Sequence, residues 1–150
     1  MFTKIFIAND HGGYAAKLAL LKHLEARGFH VEDFGSHDAE ISRYPHYAEK
    51  VALAVLQNAG AGGILICSTG IGMSIAANRF KGVRASLCTS GYMAKMTRKH
   101  NDSNILCLGG KITGEFELRD IVDNWLDNGY EGGRHDISLG LIQQIEEEST

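Results

Sequence analysis

The chain lacks most of what would mark a specialised class. It has one proline, Pro45, and no Ser/Gly/Pro-rich stretch that would serve as a linker, so its 150 residues read as a single domain, 1–150. At that size about two-thirds of the unfolded surface is buried, enough for a sizeable core. Its three cysteines, Cys67, Cys88 and Cys107, are odd in number, form no C-x-x-C pair and sit in apolar runs. That argues against a disulfide framework and for a reducing, cytoplasmic setting. No apolar run nears the roughly 18 residues of a membrane span. The N-terminus meets Lys4 and a strand-like segment at once, without a signal-peptide pattern. Charge of one sign is scarce too: 15 basic against 18 acidic side chains leave −3, no field for a nucleic acid or a membrane. With 44% hydrophobic and 22% charged residues, disorder is excluded as well.

The surplus is glycine, 18 of 150 residues or 12%, where about 7% is usual. Around it the pattern alternates between short β-rich runs bounded by Gly and longer stretches with helical spacing, the signature of an α/β protein. The runs predict strands at Lys4–Ala8, His30–Phe34, Gly63–Cys67, Arg84–Cys88 and Asn104–Leu108. Helices are expected at Tyr14–Arg27 (Leu18, Leu21 and Leu24 on one face), Tyr47–Asn58 (Val51, Leu53, Val55), Met73–Phe80, Tyr92–His100 and Glu115–Asn128. Continuously apolar strands such as Ile64-Leu65-Ile66 belong in a parallel sheet covered on both faces. A doubly wound, five-stranded, three-layer α/β/α arrangement follows. A last amphipathic helix, about 136–148, carries Ile137, Leu141 and Ile145 on one stripe. It either packs back on its own domain or forms an arm against a second subunit. Glu146, Glu147 and Glu148 read as solvated tail.

In such a sheet ligands bind beyond the carboxyl ends of the strands. The turns there are small, polar and glycine-rich: Asn9-Asp10-His11-Gly12-Gly13, Gly35-Ser36, Ser68-Thr69-Gly70-Ile71-Gly72, Thr89-Ser90-Gly91 and Gly109-Gly110-Lys111. A crevice for a polar, anionic ligand is the natural inference, with backbone N–H groups after Cys67 facing the anion. A dinucleotide fingerprint fails at Ile75, and Gly110-Lys111 is no P-loop. Cys67 abuts this loop, where a helix dipole favours a thiolate, although a buried cysteine is commonly just a small hydrophobe. Cys88 and Cys107 read as packing residues. Asp10-His11 suit hydroxyl and phosphate binding, or serve as turn residues. His100-Asn101 offer an acid or base near neutral pH, or an ordinary helix end. The spacing of His23, His30 and His37 suggests no metal.

These residues, together with Tyr44-Pro45-His46-Tyr47-Ala48, the run GILICSTGIGMSIAANR, Arg98 to Asn104 and Tyr130-Glu-Gly-Gly-Arg-His135, resemble the type B ribose-5-phosphate isomerase family, with its galactose- and allose-6-phosphate relatives. The resemblance spans essentially the whole chain. It implies a Rossmann-like fold, a homodimer or dimer of dimers with sites near the interface, and aldose–ketose isomerisation through an enediolate without cofactor or metal. It makes Cys67 the base, His100 the ring-opening acid and Thr69 its helper. Asp10, His11, Ser68, Gly70, Ile71, Gly72, Asn101, Lys111 and Arg134 would bind the sugar phosphate, with Asn101 reaching over from the second subunit.

Three positions at the phosphate end commonly carry arginine in that family; here they are Lys111, Arg134 and Ser138. Lysine holds a phosphate as a point charge but lacks the bidentate fork. Gly109–Gly114 looks more like the galactose-6-phosphate branch and Tyr130–His135 more like the ribose branch. A pentose 5-phosphate is thus the expected substrate, with a hexose 6-phosphate or an unphosphorylated sugar as the alternative. A module that binds sugar phosphate without turnover, in which Cys67 merely packs, is the reading outside enzymology.

Overall fold

The computed structural model describes residues 1–149. In chain order the elements are β1 (Lys4–Asn9), a 3₁₀ turn (His11–Gly13), α1 (Tyr14–Ala26), β2 (Val31–Asp33), α2 (Tyr44–Gln57), β3 (Ala61–Cys67) and α3 (Ile71–Ala77). They continue with β4 (Ala85–Leu87), α4 (Gly91–Asn101), β5 (Ile105–Gly109), α5 (Glu115–Leu126) and α6 (His135–Glu148). The five strands form one all-parallel sheet in the order β2-β1-β3-β5-β4. Because parallel crossovers are right-handed, the two that step back toward lower order (α1, α4) and the two that step forward (α2, α3) fall on opposite faces.

Side-chain alternation sorts the core into those two layers. Ile5, Ile7, Ile64, Ile66, Leu106 and Leu108 meet α1, α4 and α5, while Phe6, Ala8, Leu65, Cys67, Ile105 and Cys107 meet α2 and α3. All seven residues of β3 are buried, as a central strand covered on both sides requires. Two of its glycines let the helices close in. A Cβ on Gly63 would lie 2.5 Å from Val51 Cγ1, and one on Gly62 2.8 Å from the Trp125 ring.

Several sequence expectations shift. The buried face of α1 is Ala16, Lys17, Leu20 and Leu24, and Leu18 points outward; with Leu at 18, 20, 21 and 24 the helix is apolar on more than one side, and the sheet selects a different stripe. On α2 the buried side adds Ala48 and Ala52 to Val51 and Val55, and Leu53 is exposed. That helix begins at Tyr44, three residues early, with Pro45 in its first turn, where a missing N–H costs nothing. Helix α3 spans Ile71–Ala77 rather than Met73–Phe80. Strands β2 and β4 shrink to three residues each at the two sheet edges, where pairing comes from one side only.

No residue of α6 is buried. The helix lies over a cavity of ≈ 620 Å³ lined by Arg84, Asp102, Tyr130 and Leu139 among others, with Ile137, Leu141 and Ile145 exposed. Glu146, expected as free tail, accepts from the Gly82 N–H at 3.3 Å. Among the described residues, no helix is long and apolar enough to cross a membrane.

Candidate active site

The carboxyl edge of the sheet gathers nine of the twelve residues singled out from the sequence: Asp10, His11, Cys67, Ser68, Thr69, Gly70, Ile71, Gly72 and Lys111. Three loops, after β1, β3 and β5, are packed so closely that glycine is the only fit. A Cβ on Gly12 would lie 2.8 Å from Ser68 N, one on Gly109 2.8 Å from Thr69 O, and one on Gly110 2.8 Å from Gly12 O. The glycine surplus therefore welds the loops to one another. Gly110 N–H donates to Cys67 O at 2.8 Å and Lys111 N–H to Ser68 O at 3.0 Å, which seats Lys111 beside the β3 loop.

Asp10 caps the 3₁₀ turn, its carboxylate accepting from Gly12 N–H at 2.9 Å. The His11 ring is tethered through Nδ1, which accepts from Ser42 N–H at 3.2 Å. Cys67 ends β3, almost wholly buried, and Gly70 N–H donates to its Sγ at 3.1 Å. Gly70 reaches this position with φ 82°, a left-handed conformation that glycine adopts without strain. The Thr69 hydroxyl accepts from Ile71 N–H at 3.2 Å, leaving its own proton free to be donated. The amide of Gly72 follows in the first turn of α3, where the helix supplies no acceptor of its own. The geometry brings a thiol, a carboxylate and an imidazole to the carboxyl edge of the sheet, beside the start of α3.

The other two cysteines are different. Burial pushes the Cys88 thiol up to about 12 and the Cys107 thiol well above its ordinary value, so neither can act as a base near neutral pH. Among the described residues, Cys67 is the one thiol with an amide donor on its sulfur.

His100, Asn101 and Arg134 lie elsewhere. A helix that crosses back between parallel strands ends at their amino edge, and α4 does so. Arg84, just before β4, donates through Nε to Asn101 O at 3.1 Å and Asp102 O at 2.9 Å. The register places Ile105 level with Gly63 and Gly109 level with Cys67, so His100 sits at least one strand length below the thiol, about 13 Å at ~3.3 Å per residue. There His100 stacks on His135 from the start of α6, with ring centroids 4.3 Å apart. Glu131 N–H donates to Lys99 O at 3.1 Å and holds the Tyr130–Arg134 loop on the end of α4. Within one chain the base and acid candidates cannot meet at one sugar.

Two residues that the sequence places in its turns and motifs without a site role, Tyr44 and Asn9, stand beside these loops. Tyr44 packs where a Cβ on Gly72 would lie 2.7 Å from its ring, and Asn9, fully buried, donates through Nδ2 to Asp10 O at 2.7 Å and Ser36 Oγ at 3.2 Å. The polar Asn9 closing an otherwise apolar strand was the available signal.

Residues 5–142 match the ribose/galactose isomerase family. The ribose-5-phosphate isomerase B of Escherichia coli (strain K12) is 46% identical over 144 residues, 96% of this chain and 97% of that protein. Among solved structures, the ribose-5-phosphate isomerase B of Clostridium thermocellum superposes with a TM-score of 0.96 at 48% identity, covering 98% of this chain and 99% of that one. The Mycoplasma genitalium enzyme, with bound ribulose-5-phosphate, gives a TM-score of 0.93 at 39% identity over 97% of both chains.

Proposed function

Because the chain belongs to the ribose/galactose isomerase family, we propose that this isomerase interconverts D-ribose 5-phosphate and D-ribulose 5-phosphate in a site that two copies of the chain build together. The observation that carries this reading is the division of chemistry between the sheet edges: Cys67 with its Gly70 donor, Asp10 and His11 at one, His100, Asn101 and Arg134 at the other. A homodimer, alone or paired again, brings the amino edge of one copy to the carboxyl edge of the next. The uncovered stripe of α6, Ile137, Leu141 and Ile145, supplies apolar surface for that contact. Three free, buried thiols suit a reducing, cytoplasmic compartment.

Chemistry then runs as follows. His100 of the partner subunit gives a proton to the ring oxygen of the furanose while the anomeric hydroxyl loses one, and the Thr69 hydroxyl assists. Cys67, as thiolate, takes the proton from C2 of the open aldehyde; the electron pair moves through C1 onto O1, giving an enediolate. The proton on O2 passes to O1, and the thiol returns its proton to C1. Electrons stay within the substrate, so the scheme calls on no cofactor. The Gly72 amide in the first turn of α3 complements the enediolate oxygen, a donor fixed before the charge develops. Asp10 and His11 bind the sugar, and Lys111 and Arg134 of the partner subunit neutralise the phosphate.

Deuterated buffer provides the test: aldose recovered after incubation with ribose 5-phosphate gains deuterium at C2, and Cys67→Ala abolishes it. Wild-type turnover in Cys67→Ala overturns the assigned base. Ser138, where arginine is common in the family, favours one alternative, a hexose 6-phosphate. A kcat/KM for allose or galactose 6-phosphate within about tenfold of that for ribose 5-phosphate would support it.

A further inference from the structure

We propose that Lys17 is a positioning residue of the isomerase, acting through the Gly35–Ser42 loop on Asp10 and His11; this rests on the function proposed above. Lys17 is 1% exposed, on the sheet-facing side of α1. Its ammonium lies 3.1 and 3.0 Å from the two carboxylate oxygens of Asp33 and donates to the carbonyl of Ser36. Stability alone does not call for such an arrangement, since a well-packed apolar side chain generally does as well as a buried ion pair. The proposed reaction gives Lys17 no direct part either.

Its bonds lead to the site. The Gly35-Ser36 pair is gripped by β1 three times: Ser36 N–H donates to Asn9 O at 2.8 Å, Ser36 Oγ accepts from Asn9 Nδ2, and Asn9 N–H donates to Gly35 O at 2.7 Å. Asn9 Nδ2 also holds the carbonyl of Asp10. At the far end of the same loop, Ser42 N–H holds the ring of His11. One loop thus reaches Asp10 through Asn9 and holds His11 directly, and the ammonium of Lys17 pins its root together with Asp33, whose carboxylate also accepts from Gly35 N–H at 2.8 Å. Asn9 Oδ1 is buried without a partner, so this network leaves an acceptor unsatisfied that an apolar end to β1 would not. Cys67 and its Gly70 donor lie outside the network.

The test is the paired variant Lys17→Met/Asp33→Asn, which removes both charges and leaves neither unpaired. Amide exchange at Ser36 and Ser42 should speed up, a readout that needs no turnover. The KM for ribose 5-phosphate should rise about tenfold or more while kcat stays within about threefold, because binding groups move and the base does not. In a cycle with His11→Asn, the combined loss should be smaller than the product of the two single losses, since the share of the Lys17 effect that runs through His11 is lost only once. Unchanged kinetics, a loss confined to kcat, or losses that multiply in the cycle each overturn the proposal. Should the paired variant not fold, Ser36→Ala cuts the network one bond further on; a raised KM supports the proposal and an unchanged one overturns it. If wild-type protein does not isomerise ribose 5-phosphate, the functional reading fails on its own, and the exchange at Ser36 and Ser42 still reports whether Lys17 pins the loop.

Discussion

Mixing two inactive variants exposes a site built from two chains. Cys67→Ala removes the proposed base at the carboxyl edge and His100→Ala the proposed acid at the amino edge, about one strand length away in the same chain. In a two-fold dimer each site takes Cys67 from one copy and His100 from the other. Random pairing of equal amounts makes about half of the dimers mixed, and each mixed dimer holds one intact site and one doubly defective site. About a quarter of wild-type activity should therefore return. The reciprocal mixture is equally informative: wild type with an equal amount of the Cys67→Ala/His100→Ala chain should keep about a quarter of full activity, whereas independent chains would keep about half. Ribulose 5-phosphate formation is followed after subunit exchange, with native mass spectrometry verifying that mixed dimers form. Mixed dimers that show only the summed activity of the two parents would refute the shared site.

Gly12→Ala should cost about 10²-fold in kcat/KM, since its Cβ would lie 2.8 Å from the backbone nitrogen of Ser68 and must drive the β1 and β3 loops apart. The overpacking of about 1–3 kcal/mol should also lower Tm by several degrees, while Gly129→Ala, with open space around it, should change neither. Alkylation at pH 8 should label Cys67 and abolish activity, whereas Cys88, its thiol pushed up to about 12, holds a thiolate share of about 10⁻⁴ and should stay unlabelled by peptide mapping. Leu141→Glu/Ile145→Glu places two charges on the uncovered stripe of α6. Light scattering should then find monomers with the circular dichroism of the wild type, and a stable dimer would show that the stripe is not the contact.

The half of the proposed site at the carboxyl edge is legible in the sequence because strand ends carry their own punctuation. A buried apolar run that stops at Cys67 and gives way to Ser68-Thr69-Gly70 can only be a strand end followed by a tight turn. The other half is legible in type but not in place. His100 closes a helix, and the end of a crossover helix lies at the opposite edge from the end of a strand, so chain order already carried the separation from Cys67. Lys17 illustrates a different limit. Its charge suggests solvent, and only the position of Asp33 and the Ser36 carbonyl, 16 and 19 residues away in the chain, makes its burial tolerable. Helix α1 defeats periodicity for the same reason: several leucines compete, and the sheet's geometry decides among them.

No residue of helix α6 is fully buried against its own chain. On the proposed shared site, folding and assembly are separate events: a lone copy would complete its sheet and both helical layers while lacking half of its chemistry. Catalytic output from such a protein scales with the square of its abundance at low concentration and only linearly once most chains are paired. With the site shared as proposed, dilution below the pairing range would lose activity faster than molecules, with no chain unfolding.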